Sequence, residues 1–239
     1  MKIKIKNVTL VAVAGTKILN TLEALEYSLK KCEFSKILFF SHKKILIKNH
    51  KIKFIKIRKL TSIKDWSEFI IFELHKFIKT SHILLIHWDG FVINPSSWNK
   101  KYLKYDYIGA PFPIFKRSFF FKNIDRIVMG NSVSLRSRKL LELPTKLGLK
   151  WNEAAKSNFH EDGYLCEQQK KLLVKNGVKF SPIKIAYNFS REYTFLHLEK
   201  SHPFVFHKWF GFNKNFERLK NPINFKENLK RFIRFGIYE

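Results

Sequence analysis

Residues 8–14 (Val8, Thr9, Leu10, Val11, Ala12, Val13, Ala14) form a short, almost unbroken apolar run, the pattern of a strand covered on both faces. Asn20 and Glu23 then bracket a capping box. Behind it Leu22, Leu25 and Leu29 recur at helical spacing, with a favourable Glu26–Lys30 pair. Residues 36–40 predict a second strand, and residues 52–57 a third in which apolar positions alternate with Lys. Ser62 and Asp65 form another capping box, ahead of Trp66, Phe69, Ile70 and Phe77 at helical spacing. Residues 83–86 predict a fourth strand that runs straight into His87, Trp88, Asp89, Gly90 and Phe91. Strands alternating with helices up to residue 90 argue for an α/β fold with a mostly parallel sheet. In such sheets ligands bind beyond the carboxyl ends of the strands, where the Asp89 loop falls.

The second half has a weaker rhythm. Residues 105–110 read as a strand ended by Pro111 and Pro113, and residues 116–122 as a basic, aromatic, exposed loop. Residues 127–135 are strand-like around Gly130 and Asn131, and residues 137–143 predict a helix stopped by Pro144. Residues 161–176 predict one helix, with Glu161 and Asp162 in its first turn and Gly177 just past its end. Residues 204–207 predict a short strand. From Asn215 onward the chain is basic and amphipathic, with Phe225, Leu229, Phe232 and Ile233 at helical spacing. No repeat or low-complexity linker divides it.

Composition changes the picture in three ways. At 239 residues the chain can bury one sizeable core, so one domain with a short appendage is expected. Forty-six Lys+Arg against 19 Asp+Glu leave +27, which favours nucleic acid, phospholipid head groups or nucleotide phosphates as partners. Abundant Lys, Ile, Phe and Asn also fit an A/T-rich codon bias, so charge alone names no function. Two cysteines, Cys32 and Cys166, exclude a disulfide scaffold and fit a reducing compartment. No apolar run is long enough to span a membrane, and residues 1–6 lack the apolar core of a signal peptide. A cytoplasmic location is expected, with peripheral contact on the inner face of the cell membrane as an option.

Asp89 is the strongest candidate for chemistry. A carboxylate after a buried strand, with Gly90 beside it, can hold a divalent ion against a diphosphate; it can equally cap an Asx-turn. Glu161 and Asp162 can supply a general base, or merely complement a helix dipole. His207 can be a metal ligand or phosphate donor, or an ordinary packed histidine. Arg136, after the Gly130–Asn131 turn, can pair with phosphate. The chain contains no P-loop, no G-x-G-x-x-G, no G-x-S-x-G and no paired C-x-x-C.

Two strings are specific: Trp88-Asp89-Gly90-Phe91, continuing to Pro95, and Tyr105-Asp106-Tyr107-Ile108-Gly109-Ala110-Pro111. Around them, in order, stand the apolar run from Val8, then Ser41-His42-Lys43, then Gly130-Asn131 ahead of Ser134-Leu135-Arg136-Ser137. Glu161-Asp162 with Cys166 and Pro203-Phe204-Val205-Phe206-His207 complete the series. From about Val8 to about Trp209 this order resembles a bacterial family known as domain of unknown function 5672, which is similar to the GT-A class of nucleotide-sugar glycosyltransferases.

The resemblance implies a GT-A-like, Rossmann-like fold over residues 1–213, with a mostly parallel central sheet flanked by helices and a smaller mixed region on the acceptor side. Residues 214–239 would be a basic amphipathic extension that can lie on an anionic membrane. The implied activity is transfer of a sugar from a nucleotide-diphosphate donor to a hydroxyl of a glycan or lipid-linked acceptor, in cell-surface polysaccharide synthesis. The implied cofactor is a divalent metal, Mn²⁺ or Mg²⁺, held by Asp89 and His207. Ala14, Gly15, Thr16, Ser41 and His42 would flank the nucleotide, with Trp88, Gly90 and Arg136 completing the donor site. Glu161 or Asp162 would be the acceptor base. This chain departs from the pattern in carrying a single Asp rather than Asp-x-Asp, Asn131-Ser132 in place of Gly-Gly, and Val205 in place of a Gly. Two other readings stay open: a catalytically inactive relative, and a basic polyanion-binding protein. For nucleic acid there is no zinc-finger or RNP signature, so that partner is not expected.

Overall fold

The computed structural model describes residues 2–117, 122–151, 160–192, 202–209 and 219. Strand β1 (Ile3–Ala14) leads into helix α1 (Ile18–Lys31), strand β2 (Cys32–Ser41) and strand β3 (Lys53–Lys56). Helix α2 (Ile63–Glu68) continues as a π-helical stretch, Phe69–Glu73, and a 3-10 turn, Leu74–Phe77, before strand β4 (His82–Ile86). Next come β5 (Tyr107–Ile108), the antiparallel pair β6 (Pro111–Arg117) and β7 (Lys122–Met129), β8 (Ser134–Ser137) and helix α3 (Arg138–Lys146). Short elements follow: α4 (Glu161–Gly163), a π-helical Tyr164–Gln168, α5 (Lys170–Lys175), α6 (Ile183–Phe189), β9 (Ser190–Arg191) and β10 (Val205–Phe206).

The central sheet has six strands in the order β3-β2-β1-β4-β8-β5, and only β8 runs against the others. Period-2 alternation explains the apolar runs. Leu10, Ala12, Phe39, Leu84 and Ile86 face one core, together with Leu22, Leu25 and Leu29 of α1. Val11, Val13, Phe40, Ile83 and Leu85 face a second core, with Phe69, Ile70 and Leu141. A strand covered on both sides has no position left for a polar residue, except where that residue finds a partner. Thr9 does, with its hydroxyl 2.7 Å from that of Thr80. The sheet is therefore α/β and mostly parallel, as expected. Two small sheets, β6-β7 and β9-β10, form the mixed region.

Several boundaries differ from expectation. Helix α1 starts at Ile18 after a left-handed Lys17 (φ 50°), and both the Thr21 N–H and hydroxyl bond the Lys17 carbonyl. Asn20 thus sits inside the first turn and builds no capping box. The Ser62–Asp65 box forms as expected. Pro144 does not stop α3. It lies in the last turns, and the helix ends before a left-handed Gly148 (φ 62°). Residues 111–117 and 122–129 are paired strands rather than loop, and residues 118–121 lie outside the described residues. The helix expected over residues 161–176 is broken into α4, a π-helical segment and α5, with Gly177 (φ 77°) closing it. Residues 214–239 lie outside the described residues except for Leu219, which is buried in the first core. No helix among the described residues is long and apolar enough to cross a membrane, and both cysteines are buried free thiols.

His82 opens β4 as a buried imidazole. Its Nε2 donates to the Tyr105 carbonyl at 3.1 Å, and Nδ1 lies 3.0 Å from the Ser81 hydroxyl. Burial lowers its pKa below the ordinary 6.5, against a smaller opposing pull from the Tyr105 carbonyl and Asp106. The unfolded chain then binds a proton that the folded chain refuses, so stability falls as pH drops below 6.5, by at most about 1.4 kcal/mol per pH unit. Denaturant unfolding of wild type and His82→Gln at neutral and mildly acidic pH should show a smaller loss in the variant.

Candidate functional site

The chain order makes the site. From β1 it winds outward through β2 and β3, then returns to place β4 on the other flank of β1. Between the carboxyl ends of β1 and β4 the winding reverses, and a crevice opens there in such sheets. Because β8 is antiparallel, its first residue Ser134 pairs with Leu85 and brings the Gly130–Asn131 turn to the same edge.

Residues 87–90 make a tight turn there. The His87 N–H donates to the Gly90 carbonyl at 2.8 Å, and the Gly90 N–H returns to His87 at 3.2 Å. Asp89, only 3% exposed, stands at the tip, where its carbonyl accepts the Lys208 N–H at 2.7 Å. His207 Nε2 is 3.5 Å from Asp89 Oδ1, and the His87 and His207 rings meet edge to face at 5.7 Å. One ring nitrogen of each histidine and one Asp89 oxygen lie within 4.8 Å of one another, the one such cluster among the described residues. Trp66 packs its ring against His87 at 4.9 Å and is itself pinned by its indole N–H on the Val13 carbonyl at 3.0 Å.

Behind His207 sits Glu192, 3% exposed. It accepts from His207 Nδ1 at 3.1 Å, from Asn131 Nδ2 at 2.6 Å, and from Lys208 Nζ. Burial works against the charged form of His207, but Glu192 and Asp89 hold its pKa up at about 9. Burial, reinforced by the charge on His207, pushes His87 down to about 3. Glu192 is held at about 2 despite burial, by Lys208 and His207.

Asn131 joins this group to the acids at residues 161 and 162. It sits at φ 99°, which few L-residues tolerate, and Asn is among those that do. Its N–H donates to Asp162 Oδ2 at 2.6 Å, its Oδ1 caps the Val133 N–H at 2.7 Å, and its carbonyl accepts the Tyr107 hydroxyl at 2.7 Å. Asp162 is half-buried and lies against Gly130, where an added Cβ would come within 3.3 Å of its carboxylate.

The other predicted site residues divide. Arg136 is fully buried and donates from Nη2 to Glu161 Oε1 at 2.6 Å, an ion pair that occupies the Glu161 carboxylate. Ser132 also donates to Glu161, at 3.2 Å. Burial and the Asp162 charge raise the Glu161 pKa, and Arg136 pulls it back. Glu161 thus belongs to the core, and Asp162 is the acid left at the edge. Ser41 is buried and donates to the Ala14 carbonyl at 3.0 Å, tying two strand ends together rather than facing a ligand. Gly90 is small for the protein's own packing: a Cβ there would meet the Phe206 carbonyl and Val133 at 2.6 Å. Gly15 packs similarly on Leu60, while Thr16 is exposed and His42 half-buried at the same edge, beyond the ends of β1 and β2. Trp88 is half-buried, with Lys17 Nζ 3.9 Å above its ring.

Sequence reasoning missed His87, Glu192 and the role of the Asn131 side chain. His87 was findable as the residue two before Asp89. Glu192 carries no local signal at all.

The fold and site define an α/β protein with a clustered His/Asp group at the switch point of its sheet. The chain belongs to the family described as "Protein of unknown function (DUF5672)", whose model matches residues 49–207. That match takes in the Asp89 turn, Glu161, Asp162 and His207, and leaves out β1 and the Ser41–His42 loop. No curated protein matches the sequence. Among solved structures, the chain is similar to the 2-C-methyl-D-erythritol 4-phosphate cytidylyltransferase of Francisella tularensis. Identity is 10%, the TM-score is 0.39, and the match covers 97% of this chain and 100% of that one. A likeness that distant says nothing about chemistry here.

If Arg136–Glu161 is a structural pair, Arg136→Met alone should cost about 3–5 kcal/mol, because it strands a buried carboxylate. Adding Glu161→Gln should recover much of that loss in a double-mutant cycle read by denaturant unfolding. A double variant as unstable as the single would contradict the pairing.

Proposed function

We propose that this protein is a glycosyltransferase that moves a sugar from a nucleotide-diphosphate donor to a hydroxyl of a glycan or lipid-linked acceptor. The observation that carries the reading is the His87–Asp89–His207 cluster at the switch point, linked through Glu192 and Asn131 to Asp162. The residues suit a divalent ion: two imidazoles and a carboxylate, mutually close and largely buried. Such an ion would be held by Asp89 and His207 with His87 beside them, and would neutralise charge on a bound diphosphate.

The protein's own groups account for the rest. Lys17, above Trp88, adds positive charge at the same edge. A nucleotide would lie across the ends of β1 and β2, past Ala14, Gly15, Thr16 and His42. As the acceptor oxygen bonds to the sugar C1, the C1–O bond to the diphosphate breaks and its electron pair leaves on the diphosphate. Asp162 takes the acceptor proton. Two of its lone-pair sites are filled by the Asn131 and Gly163 N–H groups, which fix its direction and leave others open. Glu161 cannot share this task while it neutralises Arg136. The basic segment 214–239 would bring the enzyme to an anionic membrane carrying a lipid-linked acceptor.

Calorimetric titration with UDP, with and without Mn²⁺, tests the donor site. Binding should require the metal and weaken by about tenfold or more in Asp89→Asn, a change of roughly 1.4 kcal/mol. Absence of binding to UDP, GDP and CDP alike would sink the reading. Asp162→Asn should leave donor affinity unchanged and slow transfer by about 10²–10⁴-fold.

A further inference from the structure

The donor set narrows which ion the cluster takes. His87 and Asp89 stand two residues apart on one turn, and His207 reaches them from beyond β10. That makes two ring nitrogens against one carboxylate oxygen. Mg²⁺ prefers an all-oxygen octahedron and gives up its waters reluctantly. Imidazole nitrogen suits Zn²⁺, Co²⁺, Ni²⁺ and Fe²⁺, which rank above Mn²⁺ in affinity for such sites.

Features around the ligands support the same conclusion. The His87 Nε2 atom is buried and has no hydrogen-bond partner among the described residues. A buried ring nitrogen left unsatisfied is costly, and Trp66 holds the ring where it is. Glu192 accepts from His207 Nδ1, which leaves Nε2 as the atom facing Asp89 at 3.5 Å. That spacing is close to the roughly 3.4 Å between two ligand atoms bonded at about 2.1 Å to one tetrahedral ion. A carboxylate behind a metal-binding imidazole fixes its tautomer and orientation. Three protein ligands leave a coordination position open to water or a phosphate oxygen.

We infer that this site selects a first-row transition-metal ion over Mg²⁺, with His87 as a direct ligand and Glu192 as the positioning residue of His207. The inference rests on the metal site of the proposed function and adds the identity of the ion to it. Titrating the 239-residue chain with Co²⁺ alone, without nucleotide, reads the site through visible absorption. Wild type should bind Co²⁺ and keep it against an approximately hundredfold excess of Mg²⁺, a preference of at least about 2.7 kcal/mol. His87→Gln, close in size, should weaken Co²⁺ by about tenfold or more. His87→Asp, which exchanges nitrogen for oxygen, should narrow the preference over Mg²⁺. Glu192→Gln should weaken Co²⁺ by about 10–100-fold, with Glu192→Asp partly restoring it. Thermal unfolding of each variant shows whether it is folded.

Equal Co²⁺ affinity in wild type and a folded His87→Gln, or displacement of Co²⁺ by comparable Mg²⁺, would overturn the inference. UDP binding measured alongside separates the two proposals. UDP held with Mg²⁺ at Asp89 would leave the glycosyltransferase reading standing without this one. Co²⁺ held by His87 with no nucleotide bound would do the reverse.

Discussion

Glu192 is a carboxylate 3% exposed to solvent, and at such a position its charge must be neutralised and its lone pairs filled. Lys208, His207 and Asn131 do both. Each of these partners then imposes order on something else. The Lys208 backbone holds the Asp89 carbonyl, His207 presents its outer nitrogen to the Asp89 carboxylate, and Asn131 fixes Asp162. One buried charge thus sets the relative positions of residues that lie far apart in the chain and face each other across the edge of the sheet.

The two acids at residues 161 and 162 illustrate how surroundings divide chemically similar groups. Glu161 points into the core and is consumed by Arg136, with Ser132 filling another lone pair. Asp162, next in the chain, points to the Gly130 turn and keeps partial access to solvent. A hydrogen-bonded buried ion pair is a support; a half-open carboxylate held by two backbone N–H groups can do proton chemistry. The same logic sorts Ser41, which ties strand ends together, from His42, whose half-buried ring stands just beyond the end of β2.

Much of the sheet was legible because β1, β2 and β4 are buried on both faces, and that requirement writes continuous apolar runs into the sequence. Asp89 and His207 were legible too, one by its place after a buried strand and both by family resemblance. What stayed hidden depends on contacts distant in sequence. Arg136 and Glu161 are separated by 25 positions, and nothing local marks either as a buried partner. Pro111 and Pro113 read as loop, yet a strand paired on one side only tolerates proline, and among the described residues β6 pairs with β7 alone. The start of α1 was misplaced because a left-handed Lys17, rather than a polar cap, turns the chain.

The central claim is that His87, Asp89 and His207 together hold one metal ion at the switch point of the sheet. Anomalous diffraction at the cobalt absorption edge, from crystals grown with Co²⁺, tests it most directly. The expected result is a single strong peak bonded to all three side chains, with Glu192 still on the far nitrogen of His207. A peak elsewhere, or one that touches Asp89 but neither His87 nor His207, would contradict it.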